Sequence, residues 1–119
     1  VHLIFVYGTL KRGAGNHHHL AGQTFVGQAQ TVPGFSLYDL GSYPGMVAQA
    51  GDCDGVRGEV WSVDSDCLHR LDELEGVHEG LYHRQSVALQ PPFADRSVEA
   101  YLYGRAVSDR AAVGSVWGD

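Results

Sequence analysis

No regular run in this chain goes far before a glycine or a proline stops it. Sixteen glycines are spread along the 119 residues, and a residue without a Cβ is the default where backbone must turn tightly. The pattern predicts many short strands joined by tight turns rather than a low-complexity linker. His2 to Tyr7 is an apolar, β-branched and aromatic run ending at Gly8, the signature of a buried strand. Further strands are predicted at Thr24 to Val32, stopped by Pro33-Gly34, at Phe35 to Leu40, and at Met46 to Ala48 after Tyr43-Pro44-Gly45. Val56 to Val63, Tyr82 to Leu89 and Val98 to Tyr103 complete the set. Asn16 is placed to cap a short helical turn through His19-Leu20-Ala21. One longer helix is predicted from about Asp64 to Leu74, with Asp64 as N-cap and Gly76 as the stop. Many strands and one good helix make an α+β chain, and the even turn spacing predicts a small, mostly antiparallel β-barrel.

The length suits one domain with one modest core, so residues 1–119 are expected to form a single domain without repeats. Hydrophobic residues at 44% against 18% charged indicate a folded globule. A formal charge of -6, with Lys and Arg scattered apart from Lys11-Arg12, works against binding nucleic acid or an anionic membrane surface. The longest apolar stretch, Leu3 to Val6, is far below the ~20 residues of a membrane span and too short for a signal peptide. Cys53 and Cys67 form no metal-type or redox-type pair, and a secreted scaffold of this size usually carries more cysteines. The expected compartment is the cytoplasm.

The predicted helix carries the first functional signal. At roughly 100° per residue, Cys67, Leu68, Leu71 and Leu74 fall within an arc of about 120°, the core-facing stripe. Glu73 points nearly opposite that stripe, Asp72 lies just outside it, and Glu75 lies inside it, about 20° from Leu68. A carboxylate on an apolar face is costly unless paired, and burial raises its pKa. Either the last turn frays and Glu75 reaches solvent, or Glu75 is a buried acid with a task.

Other motifs carry weaker signals. Tyr7-Gly8-Thr9-Leu10 follows the first strand directly, and a strand that breaks at glycine exposes N–H groups able to bind a carboxylate or an oxyanion. With Lys11-Arg12-Gly13 it superficially suggests a phosphate loop, but the spacing of that motif is absent. His17-His18-His19 looks like a metal tract, yet neighbouring helical positions point about 100° apart and no acid lies at ligand spacing, so no metal site is expected. Tyr82 and Arg84 share one strand face. Arg84 either pairs with an acid such as Glu75 or Asp72, or orients Glu75 or its substrate. Tyr101 and Tyr103 share a face of the last predicted strand, as core packing or as a pocket wall. Cys67 faces the core as a small hydrophobe.

The order of these motifs is more specific than any one of them. YGTLKRG after the first strand, NHxxL at Asn16 to Leu20, and YPG at Tyr43 to Gly45 come first. VxGEVW at Val56 to Trp61, LDELEG at Leu71 to Gly76, YxR at Tyr82 to Arg84, and the ending YLYGRAVSDR follow. This succession resembles the γ-glutamylcyclotransferase-like family over almost the whole chain, most closely its γ-glutamylamine cyclotransferase branch. The resemblance implies a small β-barrel flanked by a few short helices. It implies that Tyr7, Gly8, Thr9 and Leu10 bind the γ-glutamyl moiety and that Glu75 is the acid/base. It also places Tyr43, Tyr82 and Arg84 in the substrate-binding set. Many relatives run on past the position of Asp119, which implies a more open pocket here.

The implied reaction releases a free amine and 5-oxoproline from a γ-glutamyl amide. The substrate's own α-amine attacks its γ-carbonyl, so the enzyme supplies positioning and proton handling. An α-ammonium, with a reference pKa of roughly 7.7–8.0, must first lose a proton. Glu75, with its pKa raised toward ~6–7, is suited to take it and pass it to the departing amine. No metal, nucleotide or organic cofactor is expected, and the only partner implied is the small γ-glutamyl substrate. Two rivals remain: a cyclotransferase for γ-glutamyl amino acids or glutathione-like peptides, and a module that binds γ-glutamyl or carboxylate ligands without turnover.

Overall fold

The computed structural model describes residues 2–49 and 55–117; Val1, Cys53 and Asp119 lie outside the described residues. The elements run β1 His2–Val6, a 3-10 turn His17–Leu20, β2 Thr24–Gln30, β3 Phe35–Asp39, β4 Pro44–Ala48 and β5 Arg57–Val63. Then come α1 Ser65–Leu74, β6 Tyr82–Val87, β7 Val98–Tyr103 and β8 Ala111–Gly114. The chain is α+β, and each predicted strand has a counterpart within a few residues. No helix among the described residues is long and apolar enough to cross a membrane.

The strands form two sheets, one ordered β2-β5-β1-β7-β6 and the other β4-β3-β8. β1 is central, antiparallel to β5 and parallel to β7, with Ile4 opposite Trp61 and Phe5 opposite Ala100. Alternation along β1 explains its continuous apolar sequence. Ile4 and Val6 join one core with Trp61, Val63, Cys67, Leu68 and Leu71, under α1. Phe5 and Tyr7 join a second core with Leu37, Met46, Val60 and Leu102, under the smaller sheet. Both faces of the five-stranded sheet are therefore covered.

The expected barrel is not formed. The five-stranded sheet curls until its edges touch at one isolated bridge, Thr31 with Leu89. There Val32 N donates to Ala88 O at 3.0 Å and Gln90 N to Gln30 O at 2.8 Å. No ladder closes that seam among the described residues. The reason lies at Pro33-Gly34, where Gly34 adopts φ +116 and the chain leaves the first sheet. β3 then pairs with β4 and β8 instead of extending the ring.

Asp64 caps α1 as expected, its Oδ1 accepting from Cys67 N at 2.7 Å. The Asn16 cap is corrected: its side chain makes no cap bond. Instead Asn16 Nδ2 donates to Thr9 Oγ1 at 2.9 Å, while Asn16 N donates to Thr9 O at 2.8 Å. These two bonds close the loop that follows β1.

Candidate active site

The last turn of α1 does not fray. Glu75 keeps helical angles (φ -83, ψ -1), and Gly76 turns left-handed at φ +65. Gly76 N donates to Glu73 O at 3.1 Å and Val77 N to Asp72 O at 3.0 Å, the paired bonds of a Schellman ending. Val77 then packs on the core that holds Leu71. This lock fixes the backbone of Glu75, and its side chain is directed into a cavity of about 280 Å³.

The cavity walls come from four places. The end of β1 and its loop supply Phe5 to Leu10, with Asn16 nearby. The turn into β4 gives Tyr43 and Pro44, the end of α1 gives Leu74 and Glu75, and the later strands give Leu81, Tyr82 and Tyr101. Tyr7, Gly8, Thr9, Leu10, Tyr43, Tyr82 and Glu75 are thus gathered around one space. Leu74 departs from the core stripe expected of it: it is 40% exposed at the cavity mouth, as is Tyr43 at 38%.

Glu75 and the loop amides are among the polar groups of this space that have no partner among the described residues. Among the described residues no donor meets the Glu75 carboxylate, and burial pushes its pKa up to about 7. The N–H groups of Gly8, Thr9 and Leu10 likewise find no acceptor among the described residues. Gly8 is glycine for want of space, since a Cβ there would lie 2.7 Å from Pro44 Cγ and 2.8 Å from Pro44 Cδ. Its φ is not positive, so conformational freedom is not the reason. The YGTL and YPG motifs are thereby two sides of one close contact. Gly45 repeats the logic, where a Cβ would lie 2.9 Å from Tyr103 Cβ.

A carboxyl poised near neutrality and loop residues with unpaired amides thus line one small cavity. The sequence profile of the gamma-glutamyl cyclotransferase, AIG2-like family matches residues 4–117. The chain belongs to that family of cyclotransferase-type enzymes. The gamma-glutamylcyclotransferase family protein YtfP of Escherichia coli K12 is 38% identical over 104 residues, covering 87% of this chain and 84% of that protein. A Vibrio cholerae protein bearing the family's name is 49% identical over 76 residues, 64% of each chain. Among solved structures, an AIG2-like protein from Mus musculus is 34% identical with a TM-score of 0.69, covering 88% of this chain and 77% of that one.

Within this family member, the cavity tyrosines are held by their hydroxyls. Tyr7 Oη donates to Tyr101 O at 2.6 Å and accepts from Met46 N at 3.2 Å. Tyr82 Oη donates to Pro44 O at 2.8 Å, and Tyr101 Oη donates to Asp72 Oδ1 at 2.7 Å. Burial first, and the Glu75 charge among the lesser causes, raise all three phenols well above their ordinary values.

Arg84 corrects the substrate-binding expectation, because it does not line the cavity. Its Nε and Nη2 donate to Asp72 at 2.9 and 3.1 Å, and its Nη1 donates to Glu99 at 2.6 Å. It pairs with Asp72 and Glu99, not Glu75, behind the wall that Tyr101 forms. Burial works to raise the Asp72 carboxyl, but hydrogen bonds from Arg84 and Tyr101 outweigh it and hold the group below its usual range.

Two features have no counterpart in the sequence reading. Glu59 of the VxGEVW motif is 7% exposed and accepts from Arg12 N, Arg12 Nε and Trp61 Nε1, each at 3.1 Å. Arg12 also stacks over Phe25, 3.8 Å from the ring centroid. Lys11 Nζ donates to Trp117 O at 2.7 Å. Both cations of the KRG segment thus have partners, and both line a second cavity of about 670 Å³, away from Glu75. The other is Asn16, which lines the cavity while bracing Thr9.

The three histidines do not converge. His17 lies edge-on to Trp61 at 5.2 Å with Nδ1 3.0 Å from Leu10 O, while His18 and His19 stack on each other at 4.2 Å. Among the described residues no three His, Cys, Asp or Glu are grouped to hold a metal. Cys67 is buried, with Sγ 3.7 Å from His19 O.

Proposed function

We propose that this protein is a γ-glutamylamine cyclotransferase, converting a γ-glutamyl amide to 5-oxoproline and a free amine with Glu75 as acid/base. The observation that carries the reading is the Glu75 carboxyl, without a partner among the described residues and pushed to about 7, in a cavity it shares with loop amides unpaired among those residues. At neutral pH such a group is close to half ionised, so it can both accept and return a proton. Glu75 takes a proton from the α-ammonium, the freed nitrogen bonds to the γ-carbon, and the amide C–N bond breaks. That proton goes to the departing amine, and the second proton, shed by the attacking nitrogen as it becomes the lactam N–H, follows through Glu75, so the amine leaves as its ammonium ion. The amides of Gly8, Thr9 and Leu10 grip an anionic oxygen of the substrate, the α-carboxylate or the developing oxyanion.

The lining favours an amine over an amino acid as leaving group. Among the described residues no Lys, Arg or His lines the cavity, so nothing there balances a second carboxylate as it loses water. The mouth offers Tyr43 and Leu74 instead, both suited to an apolar chain. The test is release of 5-oxoproline from γ-glutamylamines, compared with γ-glutamyl amino acids and glutathione. The alkylamides are expected to have the highest kcat/KM, and an α-N-acetylated γ-glutamylamine is expected to be inert. Because acetylation also adds bulk, its competition against the unmodified substrate is measured alongside. Recovery of glutamate in place of 5-oxoproline overturns the assignment.

A further inference from the structure

Beyond Glu75 itself, and resting on the acid/base reading above, we propose that Asp72 is a positioning residue that holds the Tyr101 hydroxyl proton away from Glu75. The base is thereby left without a protein donor and free for substrate.

Four titratable groups share the cavity lining with Glu75: Tyr7 after β1, Tyr43 before β4, Tyr82 on β6 and Tyr101 on β7. A phenol that donates to a carboxylate stabilises its charged form and makes it a weaker base. The three buried phenols avoid this because each proton already has an acceptor. Two of those acceptors are backbone carbonyls, Tyr101 O and Pro44 O, which no side-chain substitution removes. The third is the Asp72 carboxylate. Tyr43 is the half-exposed group at the mouth.

Asp72 is built for that task. It sits three residues before Glu75 on the turn that the Schellman bonds lock, yet it faces β6 and β7 rather than the cavity. Arg84 grips both of its oxygens, and Glu99 holds Arg84 from the far side. That clamp keeps Asp72 ionised, and an ionised carboxylate is the stronger acceptor for a phenol. Without it, the Tyr101 proton is released beside a cavity whose remaining carboxylate is Glu75.

The experiment follows the Glu75 carboxyl carbon by NMR through a pH titration, alongside the pH profile of kcat/KM with a γ-glutamylamine. Wild type, Asp72→Ala, Tyr101→Phe and the double variant are compared. The expected result is a drop of about one unit in the Glu75 midpoint for Asp72→Ala. Tyr101→Phe alone leaves the midpoint in place, and the double variant recovers most of the drop because the Tyr101 proton is gone. An unmoved midpoint in Asp72→Ala, or an equal drop in the single and double variants, overturns the proposal. Should Asp72→Ala not fold, Asp72→Asn is put through the same comparison, with a smaller shift in the same direction expected. The titration reads Glu75 whether or not the protein turns substrate over. Absent turnover with a normal titration therefore counts against the cyclotransferase reading alone.

Discussion

One end of the 8–13 loop lines the cavity of Glu75, and the other end is bonded to Glu59. The two carboxylates meet opposite environments. Glu59 accepts three hydrogen bonds, from Arg12 twice and from Trp61. Burial alone would lift its carboxyl, but those bonds outweigh it and hold the pKa below the usual range. Glu75, part-exposed at its cavity, meets no donor among the described residues, and burial acts on it unopposed. Burial therefore does not by itself mark a functional acid. What separates them is the donor set: Glu59 fastens the loop, while the Glu75 carboxyl meets no donor among the described residues.

The largest effect is expected from Glu75→Gln. It keeps the shape and removes the base, so kcat should fall ~10²–10⁴-fold while circular dichroism is unchanged. Near-normal turnover in that variant removes Glu75 from the chemistry and breaks the contrast. The second test is thermodynamic. A folded-state pKa of about 7, above the ordinary 4.5, means that the native state binds more protons than the unfolded one in that window. Stability contributed by protonated Glu75 is full below the lower value and is lost as pH rises through the upper one. Denaturant melts should show at most about 3 kcal/mol less stability at high pH than at low pH from this group, a difference that Glu75→Gln abolishes.

Glu59→Ala should show the opposite pattern. It strands the buried Trp61 donor and frees Arg12, costing roughly 1–3 kcal/mol in denaturant melts. The acid midpoint of the activity profile should stay where Glu75 sets it. A moved midpoint with unchanged stability would reverse the roles assigned to the two residues. The smallest effect is expected at Gly8, where Ala pushes against the Pro44 ring. Gly8→Ala should raise KM several-fold with a stability loss of only about 1 kcal/mol. Ligand titration beside thermal melts checks this, and unchanged affinity would exclude the loop amides from binding.

Local periodicity carried far in this chain, and long-range pairing did not. Glu75 was legible because the 100° spacing holds through the C-cap, so its inward direction could be computed from Leu68. Leu74 obeyed the same spacing but lies where the helix has passed the core, and periodicity contains no information about where a core ends. Arg84 was placed on the correct strand face, yet a choice between Asp72 and Glu75, three residues apart on one helix, needs the register of β6 against α1. β8 went unread because Ala111–Gly114 has neither alternation nor large β-branched packing, and exists by pairing with β3. The barrel failed for the same reason: turn spacing counts strands but does not say which ones close. Glu59 sits in a predicted strand, and nothing local announces that Arg12, 47 positions away, will meet it.

The central place of β1 has a consequence for how the molecule comes into being. β1 is made before either of its neighbours, β5 and β7, which both come from later in the chain. Its final anchor, the bond from Tyr7 to Tyr101, spans 94 positions. Contacts of such separation are reached slowly, after the local ones. The cavity that Glu75 lines is therefore among the last parts to be assembled, since it has no wall at Tyr101 until β7 has docked. A nascent or truncated chain that ends before Val98 should be unable to hydrogen-bond Tyr7 or enclose Glu75, and appearance of activity should report completed folding of the whole sheet.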